Sequence, residues 1–145
     1  MTSAPDTRAP KVAEADAAPN RKRGGDIRVT LSPKTVGSTS GFGGFLRLAP
    51  GEHVTEHYHP YSEEFIHVVE GELELTLDGR VVALGPAESA LVPIGVRHRL
   101  VNVGRAAAFC VFHLSPLAPR PELGHVDTEP PTNPDEATPS VGGHP

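Results

Sequence analysis

Between residues 26 and 114 apolar and polar positions alternate in short runs, and the three-to-four-residue recurrence of an amphipathic helix is nearly absent. Residues 27–31 and 44–48 open this region. Leu73, Leu75 and Leu77 then alternate with Glu72, Glu74 and Thr76, which predicts a strand with one buried and one wet face. Asp78-Gly79 is a hairpin signal, and residues 81–84 return the chain. Residues 89–93 and 98–102 follow, then a turn at Val103-Gly104-Arg105 and an apolar strand over 107–114. Some eight to ten short strands with frequent turns predict an all-β sandwich or barrel of jelly-roll type. Gly41-Phe42-Gly43-Gly44 lacks the Lys-Ser/Thr and the helix of a phosphate-binding loop, and reads as a strand entry.

Length allows one core, and the ends thin it further: 11 of the 16 prolines lie outside residues 26–114. We therefore expect a single domain over 26–114, a flexible N-terminal arm over 1–25 and a Pro-rich tail over 115–145, disordered or draped over a surface from residue 129. The basic run Arg21-Lys22-Arg23 has no interleaved aromatics, and the net charge of −5 argues against a polyanionic partner, so no nucleic acid is expected. Cys110 is the single cysteine and sits in an apolar run, where packing is its expected role. No apolar leader and no membrane-length stretch is seen, so the expectation is a soluble cytoplasmic protein without membrane contact.

The chemistry concentrates in two segments, Gly51-x5-His57-x-His59-x4-Glu64-x6-Gly71 and Pro93-x-Gly95-x2-His98-x3-Asn102. On a strand, His57 and His59 fall on one face, about 6–7 Å apart along the chain. A lone His-x-His is usually a solvated pair. With Glu64, His98 and the bracketing glycines it becomes a 3-His-1-carboxylate set suited to a divalent metal. Such donors fit Zn, Fe(II), Ni or Mn and exclude Ca and Mg. If Glu64 faces the metal, Ile66 and Val68 line the same cavity and His67 points away, while His53 lies near a loop. Phe45, Leu75, Phe109 and Val111 are further candidates for an apolar wall suited to a large substrate with carbonyl oxygens.

These two segments resemble the motifs of the cupins almost position for position from Gly51 to Asn102. The departure is Ala87-Glu88, where the second motif usually has Gly-Asp; it touches no ligand. The stretch from His57 to Phe65 and the block from Phe112 to Asp127 further resemble small monocupins of aromatic (type II) polyketide pathways, of the resistomycin-type cyclase kind. The resemblance implies a jelly roll, a homodimer, and aldol ring closure of a poly-β-ketone carried on an acyl carrier protein. It also implies that the last apolar strand runs beside the His-x-His strand. His113 would then face inward with Phe109 and Val111, as a fifth ligand or in place of Glu64. His57, His59 and His98 are the expected ligands, Glu64 or His113 completes the set, and whichever is unligated serves as base. Zn is the first choice because ring closure needs no redox change. An Fe(II)- or Ni-dependent dioxygenase and a non-catalytic accessory subunit of a synthase stay open as alternatives.

Overall fold

The computed structural model describes residues 10–138; residues 1–9 of the arm and residues 139–145, with His144, lie outside the described residues. Ten strands follow in chain order: β1 (Asp26–Leu31), β2 (Phe42–Leu48), β3 (His53–Tyr58), β4 (Glu63–Glu70), β5 (Leu73–Leu77), β6 (Arg80–Leu84), β7 (Ser89–Val92), β8 (His98–Asn102), β9 (Ala108–Ser115) and β10 (Val126–Asp127). They form two five-stranded sheets, β1-β2-β9-β4-β7 and β10-β3-β8-β5-β6, with antiparallel pairing throughout. The architecture is the all-β jelly roll that the alternation predicts.

The core lies between the sheets. Leu48, Leu73, Leu75 and Val92 are fully enclosed, and Glu74 is exposed between its leucine neighbours. Burying such a side chain is worth about 1.5–3 kcal/mol. The β5–β6 hairpin closes on Asp78 and Gly79, both at positive φ (46° and 84°), as a tight two-residue turn requires. Arg97 N donates to Asp78 Oδ1 (3.0 Å), fixing this turn to the entry of β8.

Asn102 ends β8 with a structural task. Its Nδ2 donates to Leu48 O and Ala106 O, and its Oδ1 accepts from Gly104 N, each at 2.9 Å. The buried amide is thereby satisfied on both sides and ties the two sheets to the turn before β9.

Two expectations about strand placement are corrected. β9 pairs with β2 and β4, in the sheet opposite the one that carries β3. Its parity is also the reverse of that expected: Ala108, Cys110, Phe112 and Leu114 are buried, whereas Phe109 and Val111 are half-buried and His113 is exposed. Phe45 and Phe109 stack on the outer face (centroids 5.6 Å apart) beneath the Arg47 guanidinium, so neither lines the interior.

The ends of the described chain dock on one another. Asn133 N donates to Lys22 O (2.9 Å), Lys22 Nζ donates to Glu136 O (2.7 Å), and Arg21 N donates to Glu136 Oε1 (2.7 Å). Meanwhile β10 adds to the edge of β3.

Ala87 adopts a left-handed conformation (φ 64°), the position where glycine is free of the Cβ penalty. Replacing Ala87 by Gly is expected to stabilise the fold by about 0.5–1 kcal/mol, because relief of strain outweighs the added unfolded-state entropy. Thermal unfolding should show a rise in Tm of roughly 1–4 °C.

Candidate metal centre

His57 on β3 and His98 on β8 are direct cross-strand partners, which alone brings their rings to a 4.3 Å centroid separation. A bulge sets this register. Between Val54↔Leu100 and His57↔His98, β3 spends one residue more than β8. Val54 and His57 thus both face inward although three residues apart, and simple alternation does not run the length of β3. His59 lies just past β3, where the chain crosses to the other sheet; its ring is 4.9 Å from His57 and 5.1 Å from His98. Glu64 arrives from that opposite sheet on β4, with Ile66 and Val68 buried on its side and His67 exposed.

Backbone carbonyls orient the three rings. His57 Nδ1 donates to Thr55 O (2.8 Å), His98 Nδ1 to Val96 O (3.0 Å) and His59 Nδ1 to Gly124 O (2.9 Å). A carbonyl only accepts, so each Nδ1 holds the ring proton and each neutral ring keeps its lone pair on Nε2. One ring nitrogen from each histidine lies within 4.8 Å of the others. Glu64 Oε1 sits 3.3 Å from His59 Nε2 and 3.2 Å from His98 Nε2.

The donor set fits a metal on its own evidence. Glu64 Oε1 and His98 Nε2 are shut away from solvent and neither has a hydrogen-bond partner. With all three rings neutral, lone pairs face a carboxylate inside an apolar cavity, an arrangement that a metal cation, or without one a proton on His98, resolves. Burial, then the neighbouring His98 and His59, pushes the His57 imidazole well below the usual range, so it is neutral at physiological pH. Burial works to raise Glu64, but His59 and His98 outweigh it and hold the carboxyl well below the usual carboxylate range. Burial likewise works to lower His98, but Glu64 beside it outweighs burial and raises the imidazole above its ordinary value.

The cluster opens into a cavity of about 440 Å³. Its walls come from the inner faces of both sheets: Ile27, Val29, Phe42, Leu46, Val54, Ile66, Leu100, Cys110, Phe112 and Leu114. Of the wall residues expected from sequence, Ile66 lines this cavity; Leu75 and Val68 lie in the core. His113 is not brought to the cluster. It faces outward beside Phe65 (centroids 6.3 Å apart), because β9 presents its even-numbered residues to the cavity.

Polar residues that sequence reasoning missed also line the cavity: Asn20, Arg23, Lys34, His125 and Thr138, of which Arg23 and His125 bear most on the site. Burial, reinforced by the Arg23 charge, lowers His125 to about 4. The pair Gly24-Gly25 is the available signal for Arg23. Both take positive φ, and a Cβ at Gly24 would collide with the His53 carbonyl, so the glycines let the arm lie against β3. His125 follows no strand pattern and has no such signal.

A β-sandwich with two histidines on facing strands, a third in the adjoining crossover and a glutamate from the opposite sheet defines a cupin. The family model described as a cupin domain matches residues 44–113, and the chain belongs to this family. Among its relatives are "Polyketide synthase CurC" of Streptomyces cyaneus, 59% identical over 81% of this chain and 77% of that protein, and "Tetracenomycin polyketide synthase protein TcmJ" of Streptomyces glaucescens, 52% identical over 93% of this chain and 91% of that protein. In fold it is similar to an oxalate decarboxylase of Lactobacillus farciminis (TM-score 0.68, 17% identity, 79% of this chain and 34% of that one). No helix among the described residues is long and apolar enough to cross a membrane.

Metal binding must displace protons from imidazole nitrogen, and Glu64 raises His98 above its ordinary value. Metal affinity should therefore rise with pH until His98 is neutral and level off above that, with proton release seen by calorimetry in buffers of different ionisation enthalpy. Substituting His57 or His98 by Ala should lower affinity by at least about 10²-fold.

Cys110 stands in the cavity wall, and burial pushes its thiol up to about 12. At pH 8 the thiolate is on the order of one part in ten thousand. A thiol reagent should leave the folded protein unmodified and react fully once denaturant is added.

Proposed function

We propose that this protein is a metal-dependent cyclase that closes rings in a poly-β-ketone chain by intramolecular aldol addition. The observation that carries the reading is the cation-demanding cluster of His57, His59, His98 and Glu64 in the wall of a largely apolar cavity. Relatives named for polyketide synthases, matched over most of both chains, support the substrate class.

His57, His59 and His98 would hold one divalent ion, with zinc the first choice because no electron transfer is required. Such an ion supplies Lewis-acid polarisation of a ketone oxygen. The remaining work falls to the chain. Glu64, the carboxylate placed beside the histidines, accepts a proton from a methylene between two carbonyls. The carbanion formed attacks a ketone carbon further along the same chain, making the new C–C bond, and the resulting alkoxide takes up a proton to give the hydroxyl. Phe42, Leu46, Leu100 and Phe112 exclude water and limit the folded forms the chain can adopt, bringing the two carbons together. The substrate reaches the cavity tethered to an acyl carrier protein, and the working form is a homodimer in the cytoplasm.

Chelation should abolish ring closure and zinc should restore it, followed by absorbance of the cyclised product. Undiminished closure by metal-free protein would refute the reading. Oxygen uptake supported by iron and not by zinc would replace it with a dioxygenase. Glu64→Gln should lower the rate by about 10²–10⁴-fold while metal content is retained. Loss of the metal in that variant would make Glu64 a ligand rather than the base.

A further inference from the structure

Arg23 reaches the cavity through a segment that the ring-closing chemistry leaves unused. Its carbonyl accepts from Thr55 N (2.9 Å), which pins the arm to β3 two residues before His57. Its side chain is almost wholly buried, and its Nε pairs with Asp127 Oδ1 at 2.6 Å. Its Nη2 has neither solvent nor a hydrogen-bond partner, and the residue lines the same cavity as His57, His59 and His98.

A guanidinium presents its donors as a rigid fork, and a buried donor left unpaired is costly. Asp127 occupies one tooth of the fork. With Asp127 offsetting Arg23, and Glu64 offsetting only part of a divalent ion's charge, the loaded cavity keeps a positive surplus that favours an anionic guest. We propose that Arg23 is the second polar anchor of the cavity: its Nη2 donates to the negatively charged oxygen of an enolised 1,3-dicarbonyl unit, holding the substrate at a point separate from the histidine cluster. An oxygen acceptor follows from the free donor and its negative charge from the positive surplus; its assignment to a 1,3-dicarbonyl rests on the cyclase reading. An enolate of this kind spreads its charge over two oxygens and so matches a charged donor better than a simple ketone does.

The probe is benzoylacetone, whose enolate absorbs at longer wavelength than its neutral form, titrated into full-length protein with zinc bound and again after chelation. Arg23→Lys keeps a cation for Asp127, but its three donors sit on one nitrogen and cannot span the two positions that Nε and Nη2 occupy. It should bind the probe about tenfold more weakly than the native chain, and the bound probe should ionise at higher pH. Arg23→Gln, with its fold checked by circular dichroism, should lose more. Asp127→Asn, which leaves Nη2 in place, should stay within about threefold of the native affinity. If Arg23→Lys binds within about twofold of native with an unmoved ionisation midpoint, the assignment is overturned. It is equally overturned if Asp127→Asn loses as much as Arg23→Gln, which would make Arg23 a strut for the tail. Should Arg23→Gln fail to fold, Arg23→Lys decides alone. Ring closure that ignores metal would sink the cyclase reading and leave the enolate result standing, whereas metal-dependent closure with native probe binding by Arg23→Lys would sink only the anchor.

Discussion

Three imidazoles in contact within an apolar cavity are tolerable only if each ring is told which nitrogen to protonate. Backbone carbonyls give that instruction here, at Thr55, Val96 and Gly124. Two of the three acceptors lie two residues before the histidine they orient, Thr55 within β3 and Val96 in the turn before β8, so the local chain supplies them. The third comes from 65 residues away. Much of the rest follows from meeting this condition. The bulge in β3 turns His57 inward opposite His98, the crossover to the second sheet delivers His59, and β4 brings a carboxylate to face the nitrogens left bare.

The strands were legible in the sequence where the side chains alternate in polarity. Leu73, Leu75 and Leu77 against Glu72, Glu74 and Thr76 define their own inner face, and Asp78-Gly79 announces its turn. The cluster of His57, His59, Glu64 and His98 was equally legible, because its spacing repeats a motif whose glycines mark the strand ends. What escaped did so for physical reasons. β9 is apolar on both faces, since its outer face is covered by the Phe45–Phe109 stack, and composition alone cannot say which parity points inward. That ambiguity put His113 in the site on paper and outside it in the structure. A bulge adds a residue without a sequence mark, so the face shared by Val54 and His57 was hidden as well.

Arg23 and His125 escaped for another reason. Each belongs to a segment that is irregular by itself and acquires its conformation from docking. Residues near 20–23 and 133–136 hold one another by hydrogen bonds spanning more than a hundred positions, and no local pattern encodes such a pairing. The cavity is consequently built from two kinds of material: sheet faces that fix an apolar shape, and terminal segments that add the polar groups distinguishing one guest from another.

The bond from His59 to Gly124 also bears on how the molecule is made. A ribosome makes the chain from its N-terminus, so His57, His59 and His98 all leave it before residue 124 does. A nascent chain can pair β3 with β8 and orient two imidazoles, but the third ring has no carbonyl to fix its tautomer until the tail has emerged and settled on β3. The last ring of the cluster is thereby set by docking of the segment around Gly124 and not by strand pairing.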